Sequence, residues 1–488
     1  MRERSRVEAD RLRKLELLRD LGAEPYGRQF ADCLSAADAS ACFEEGRKDK
    51  RVRTAGRISA LRRHGKAGFL DLRDGTGRIQ VYIRKDTVGD EAYEVFKLLD
   101  LWDIIGVEGT LDKTHTGEIT VFAESFSLLS KSIAAPPEKW HGLTDVETRY
   151  RQRYTDLAAS PEVVEVFRAR VRIIQLIREY LDARGFLEVE TPMMHHIAGG
   201  AAAKPFITHH NTLDMDLFLR ISPELHLKRL LVGGLNRVYE INRNFRNEGI
   251  STKHNPEFTE MEIYQAYGSC ETMMALAEEM IQFVREGLGL DETLEWNGMK
   301  IAFGSPWRRV EYMELFNQYV GIEPGDVKAL RKRALDLHLD VLKRETAVEI
   351  ADDLFGELVE PHLVDPTFVY DYPVELCPLA KTRPDDPATA ERFELYIGKM
   401  EIDNGYSELN DPIEQERRFR EQLADARGEW AKLDEDFVQA LEVGMPPAGG
   451  QGVGIDRLVM ILTGATSIRD VILFPLLRQV PPEADQKQ

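Results

Sequence analysis

The sequence predicts an α+β protein in two main parts, a small β-barrel followed by a larger domain of strands and helices. Three observations predict it. Short runs of β-branched and aromatic residues, separated by turn signals, fill residues 51–129. Residues 161–184 carry apolar side chains at helical spacing, after a plausible Ser160 N-cap and Pro161. Between Asn236 and Tyr267 the pattern changes to two strands joined by a long polar loop, the second with a period of two.

Composition sets the bounds. At 488 residues the chain suffices for two or three domains with full cores. Its 43% hydrophobic and 30% charged content is that of a globular protein. No run approaches the ~20 apolar residues that span a bilayer. The N-terminus has no apolar core of a secretory or transit peptide, so a cytoplasmic protein with no membrane partner is expected. Cys33, Cys42, Cys270 and Cys377 lack C-x-x-C spacing and read as reduced thiols. A net charge of −20 argues against a general nucleic-acid coat protein. Gly46–Gly68 stands apart, with nine Lys/Arg against a single Asp, a local basic surface.

In chain order, residues 1–45 form a helical extension whose Arg6–Gly22 stretch reads as a solvated, charged helix. Residues 46–131 hold five strands, expected at Arg51–Ile58, Gly68–Arg73, Arg78–Ile83, Ile104–Leu111 and Thr120–Ser127, with a helix near Asp90–Leu101. Five short strands and one helix fit an OB-fold barrel, which binds single-stranded nucleic acid through aromatics and a basic groove. Arg62, Phe69 and Gln80 are the candidates there; a core role for Phe69 is the alternative. Residues 132–160 read as a linker, marked by Ala134-Ala135-Pro136-Pro137. Residues 161–488 form the larger domain, with helices between about 271 and 364 that carry no arguable chemistry, among them Met273–Leu288 and Val327–Leu342. His195-His196 and His209-His210 diverge on a strand and read as polar surface or supporting groups.

The chemistry concentrates in three blocks. In the central hairpin, Phe258, Glu260, Glu262 and Tyr264 share one face, with Arg246, Glu248, Lys253 and His254 in the preceding turn and loop. An ordinary amphipathic hairpin would share that period. In the second block, a tight turn at Gly398-Lys399 would bring Glu394 and Glu401 near each other, and two such carboxylates call for a cation. Glu408 lies two positions beyond Tyr406, on its face. The third, Gly449-Gly450-Gln451-Gly452-Val453-Gly454-Ile455-Asp456-Arg457, places glycines before a helix, where backbone can approach phosphate. It is neither a dinucleotide fingerprint nor a P-loop.

These blocks, with Phe245-Arg246-Asn247-Glu248 and His254-Asn255-Pro256-Glu257-Phe258-Thr259 foremost, resemble the signature motifs of class II aminoacyl-tRNA synthetases. The helix after Ser160 with the strand ending at Pro192 is similar to the family's first motif. The closest resemblance is to lysine-specific, bacterial-type members, and it covers Arg51 to Pro475. It implies an antiparallel catalytic sheet flanked by helices, preceded by an OB-fold that reads the anticodon. It further implies a homodimer, and ATP-dependent activation of L-lysine with magnesium followed by transfer to tRNA(Lys). An aspartate- or asparagine-specific enzyme, or a non-catalytic tRNA-binding relative, are the alternatives.

Carried over by position, the resemblance makes Arg246 and Arg457 catalytic. Arg246, Glu248, His254, Phe258, Glu401 and Arg457 would bind ATP, Phe258 stacking on adenine. Gly200, Glu224, Glu262, Tyr264, Asn404, Tyr406 and Glu408 would bind lysine, Tyr264 and Glu408 meeting its ε-ammonium. Glu394 and Glu401 would hold magnesium, and Arg62, Phe69 and Gln80 would meet the anticodon. Ala198, in place of a frequent proline, and Tyr406, in place of a frequent phenylalanine, depart from the pattern. The residue types suit the reaction independently, because a carboxylate nucleophile is already ionised at neutral pH and needs charge stabilisation more than a base.

Overall fold

The computed structural model describes residues 4–47, 49–137, 143, 145–201, 203–341, 346–425 and 432–478. It forms two compact units, Met1–Val164 and Glu165–Gln488. The first is built on a closed barrel of β1 (Arg51–His64), β2 (Ala67–Arg73), β3 (Arg78–Arg84), β4 (Ile104–Lys113) and β5 (Ile119–Ser130), in the order β1-β2-β3-β5-β4. Alternation decides what fills it: Ile58, Leu70, Leu72, Val81, Ile83, Val107 and Val121 point inward and are buried. β1 continues to His64 instead of stopping at Ile58, since Gly65, at φ 57°, turns the chain back to pair His64 with Ala67.

The N-terminal helix, Arg6–Asp20, begins at a capping box between Ser5 and Glu8. It is not the solvated helix expected. Leu15 and Leu18 are buried, and Arg11 donates to the carbonyls of Ala134 (2.6 Å) and Leu101 (3.0 Å), tying the chain beyond the barrel to this helix. The stretch expected as a linker also contains two short helices, Val146–Arg151 and Arg153–Ala159, the second anchored by a buried Arg153–Asp156 pair at 2.8 Å.

The second unit is organised on an eight-stranded sheet. Its central six strands are antiparallel, in the order Thr367–Pro373, Thr389–Ile397, Met400–Ser407, Ala448–Gly454, Glu257–Ala266, Arg237–Phe245. Short strands Arg308–Glu311 and Leu187–Glu188 extend the two edges in parallel, so the sheet is mixed rather than purely antiparallel. One face is apolar: Tyr239, Met261, Ile263, Leu395, Ile402 and Val453 share a core with helices Pro161–Asp182, Cys270–Gly287 and Ile455–Thr463. Each large side chain buried there contributes about 1.5–3 kcal/mol. The period of two then leaves Glu260, Glu262, Tyr264, Asn404 and Tyr406 on the opposite, polar face.

The glycine string does precede a helix, Ile455–Thr463, and itself forms a central strand, Ala448–Gly454, paired with Met400–Ser407 on one side and Glu257–Ala266 on the other. Helix Val327–Asp336 ends before Leu342, which lies outside the described residues; His338 takes φ 62°, which a continuing helix does not allow. On the long helix the expected stripe is only partly internal: Ile177 and Leu181 are buried, while Val171 is 57% exposed. The Gly398-Lys399 turn is as expected, both residues at positive φ (61° and 65°), pairing Ile397 with Met400.

Candidate active site

Two adjoining cavities open on the polar face. The larger, about 790 Å³, is lined by Gly200, Glu224, Glu262, Tyr264, Asn404 and Tyr406, together with Glu394. The smaller, about 200 Å³, is lined by Arg246, Glu248, His254, Phe258, Glu401 and Arg457. Arg246, Glu260 and Gly452 line both. A guanidinium thus stands where the two spaces meet.

In the larger cavity, carboxylates are held by hydroxyls and by the Lys228 ammonium. Ser222 Oγ and Tyr264 OH donate to the two oxygens of Glu262, at 2.7 and 2.9 Å. Tyr406 OH and Lys228 Nζ donate to Glu224 Oε1, at 2.6 and 2.7 Å. Burial, and then the neighbouring Glu260 and Glu224, push the Glu262 carboxyl well above the usual range. A positively charged guest relieves that strain.

Glu408 departs from expectation. The alternation Asn404, Tyr406, Glu408 holds, but Glu408 does not line the cavity; it is fully buried behind it in an ion pair with Lys228. Gly450 leaves the room it occupies: a Cβ there would lie 2.0 Å from Glu408 Oε1 and 2.5 Å from the Tyr264 ring. Gly452, two residues on, clears the same side beneath Glu260. The glycine string therefore makes room for carboxylates above a strand, a role its sequence context did not suggest.

In the smaller cavity, Arg246 lies over the Phe258 ring, 4.9 Å from its centroid, and 3.6 Å from Glu260. Arg457, in the first turn of helix Ile455–Thr463, donates to the Glu401 carbonyl at 2.7 Å and meets His254 Nε2 at 2.9 Å. That geometry makes His254 Nε2 an acceptor. Burial, and then Arg457, lower the pKa of His254, consistent with a neutral ring. Lys253, in the same loop, donates to the Lys399 carbonyl at 3.1 Å and also lines this cavity.

Glu394 and Glu401 sit on neighbouring strands but are not opposite one another. A bulge pairs Glu394 with Asn404 and Glu401 with Tyr396. Glu394 accepts from Tyr372 at 2.9 Å and also from Arg392 and Tyr396. The segment expected to carry no chemistry contributes here as well. Glu349 and Asp352 line the larger cavity, and Glu360 is pushed up to about 7 by burial and by repulsion from Glu394 and Glu401. Among the described residues no cluster of three or more His, Cys, Asp or Glu has metal-binding geometry. His195 is core rather than surface: buried, 4.5 Å from the His226 ring and bonded to the Pro192 carbonyl, with its pKa lowered to about 4, chiefly by burial.

On the barrel, Arg62, Phe69, Tyr82 and Phe122 occupy one register row across β1, β2, β3 and β5. Phe69 and Tyr82 are 4.6 Å apart, Tyr82 and Phe122 5.6 Å. Phe69 is half-buried on the outer face, with Gln80 beside it accepting from Thr120 at 2.9 Å.

A family model described as tRNA synthetases class II (D, K and N) matches residues 145–478, and an OB-fold nucleic acid binding domain matches residues 52–129. The chain belongs to the class II tRNA synthetases. This synthetase is 54% identical to a lysine–tRNA ligase of Pelotomaculum thermopropionicum, covering 96% of this chain and 94% of the relative. It is 54% identical to that of Carboxydothermus hydrogenoformans (96% and 97% covered) and 52% identical to that of Syntrophomonas wolfei (98% of both).

Lys253, Glu260, Gly450 and Gly452 line the cavities of the synthetase although their sequence context assigned them no role, and Lys228, buried beside the larger cavity, was missed in the sequence. For Lys228 a signal existed. Glu224 and Lys228 stand four apart on one helix, glutamate first, the favourable order for an ion pair.

Proposed function

We propose that this chain is a lysine–tRNA ligase, activating L-lysine with ATP and transferring it to the 3′ end of tRNA(Lys). The observation that carries this reading is the pair of cavities sharing Arg246, one rich in carboxylates and one lined by Arg246, His254, Phe258 and Arg457. The first suits a substrate with two ammonium groups, the second a nucleoside triphosphate. The test is ATP–pyrophosphate exchange with a panel of amino acids; exchange with aspartate or asparagine instead of lysine would overturn the reading.

In this mechanism Glu224, Glu262 and the Gly200 backbone hold the α-amine, and Asn404 and Tyr406 line the side chain. Tyr264 meets the ε-ammonium, and Glu408, paired with Lys228 behind the cavity, supplies negative charge to it from depth. The lysine carboxylate is thereby aimed at the shared wall, where Arg246 meets both it and the α-phosphate. Attack there forms the mixed anhydride and expels pyrophosphate. No proton need be removed from the nucleophile, so positioning and charge stabilisation carry the step. Phe258 offers a ring for adenine, and His254 and Arg457, with Glu248 at the rim, frame the distal phosphates.

Two carboxylates, one already loaded with donors, do not make an all-protein cage. They fit magnesium bound by one or two carboxylates plus phosphates, which would be held by Glu394 and Glu401 and would neutralise phosphate charge. Glu401→Gln is expected to weaken the magnesium dependence of adenylate formation; an unchanged magnesium titration would exclude this role.

The barrel's aromatic row, with Arg62, Phe69 and Gln80, is the surface for the anticodon. Phe69→Ala is expected to slow aminoacylation while leaving lysine adenylation intact, since a stacked base contributes ~1–3 kcal/mol. Equal loss of both reactions would make Phe69 a purely structural residue. The exposed Val171, Leu187 and Met194 around the long helix support a homodimer through this region. Sedimentation as a monomer at micromolar concentration would exclude it. Among the described residues no helix is long and apolar enough to cross a membrane.

A further inference from the structure

Lys228 takes no part in the mechanism above, yet it is fully buried at the edge of the amino-acid pocket. It comes from helix Glu224–Val232 and reaches Glu224 Oε1 at 2.7 Å, Glu408 as an ion pair, and the Tyr406 ring at 5.4 Å from its centroid. A lysine with no access to water needs a reason to be there, because burying an ammonium is costly unless it is paired.

We propose that Lys228 is a specificity-determining residue: a resident ammonium, held between Glu224 and Glu408, that favours the ionised form of Glu408 when the substrate's side-chain ammonium arrives. The proposal rests on the reading of this pocket as a lysine site. Its physical core is a charge count. Glu224, Glu262 and Glu408 bring three carboxylates to the ammonium-binding end, and Lys228 offsets one. The remaining two negative charges match the two ammonium groups of lysine, while the substrate carboxylate turns toward Arg246. Without Lys228, Glu224 and Glu408 would face each other in a dry site, and like charges there favour uptake of a proton. A protonated Glu408 could still accept a hydrogen bond but would offer no charge.

The surroundings of Glu408 make Lys228 its principal counter-charge. Helix Glu224–Val232 presents Lys228 and Glu224, strand Glu257–Ala266 presents Tyr264 and Glu262, and strand Met400–Ser407, which ends just before Glu408, presents Tyr406. Lys381 acts from the segment bridged to Glu408 through Ala380. Burial pushes the Glu408 carboxyl up to about 8 even beside Lys228, which is the stronger of the cations in pulling it down; a substrate ammonium would complete the ionisation. Glu224 and Glu408 in turn hold the proton on Lys228 against its own burial.

The test is the pH profile of kcat/KM for lysine in pyrophosphate exchange, followed from about pH 6 to 9. Lys228→Met keeps the volume and removes the charge. The rise of activity with pH is expected to move up by about one unit or more, making lysine activation about tenfold slower at neutral pH. KM for ATP should stay the same, and Lys228→Arg should restore the wild-type profile. An unshifted profile in Lys228→Met would overturn the proposal. Should that variant not fold, Lys228→Met combined with Glu408→Gln removes both charges of the pair and leaves no carboxyl at 408 to titrate. It is expected to give a flat, low profile, and wild-type activity or an intact alkaline rise in this double variant would equally overturn the proposal. If the wild type itself fails to activate lysine, the functional reading of the pocket falls instead.

Discussion

Arg246→Ala is expected to slow lysyl-adenylate formation by about 10²–10³-fold, the cost of removing one preorganised charge from an oxyanion-type site. The expectation follows from position. Arg246 lines both cavities, so it is the cation that the attacking carboxylate and the α-phosphate would share. As attack proceeds, negative charge grows on the phosphoryl oxygens, and a guanidinium already fixed by Phe258 and Glu260 need not reorganise. The loss should fall on the chemical step, with tRNA binding by the barrel unaffected. Single-turnover adenylate formation would check this. A rate within about tenfold of the wild type would remove Arg246 from the transition state.

Glu408→Gln is expected to lower kcat/KM for lysine by roughly a hundredfold, the upper end of the ~1.5–3 kcal/mol carried by a hydrogen bond to a charged group. The amide keeps the shape and an acceptor but not the charge, and it leaves Lys228 with Glu224 alone. Ornithine, whose ammonium is one methylene nearer the backbone, should lose less, and norleucine, with no ammonium, little. KM for ATP should hardly change. Equal losses for all three substrates in pyrophosphate exchange would show that Glu408 supports the fold rather than reads the side chain. A carboxylate buried alone would discriminate more strongly, because a neutral amino acid would leave it without a partner. Lys228 reduces that penalty: Glu408 has an ion-pair partner whether or not substrate is present. Selection between lysine and a neutral analogue therefore depends on what the second ammonium adds, not on an orphaned charge.

Much of the site was legible because it lies on strands and one turn. A period of two places Phe258, Glu260, Glu262 and Tyr264 on one face by backbone geometry alone. Gly398-Lys399 announced its turn by residue type, and the barrel's five strands announced themselves by alternation. The motif resemblance then linked blocks far apart in the chain, and those blocks do meet at the two cavities.

What the sequence could not contain was distance between elements. Whether an acid faces a cavity or a buried lysine depends on a helix and a strand end 180 residues apart in the chain: Lys228 and Glu408 meet only after the sheet has formed. The glycine string reads the same as a loop or as a strand, because glycine suits both, and its pairing on both sides decided for the strand. Glu360, in a segment with no pattern of its own, is pushed up to about 7 only because folding brings it near Glu394 and Glu401. Periodicity is a local property of the backbone, and one chain suffices to show it. Burial, ion pairing and the titration of a buried carboxyl depend on atoms contributed by several elements at once, and those the tertiary structure alone decided.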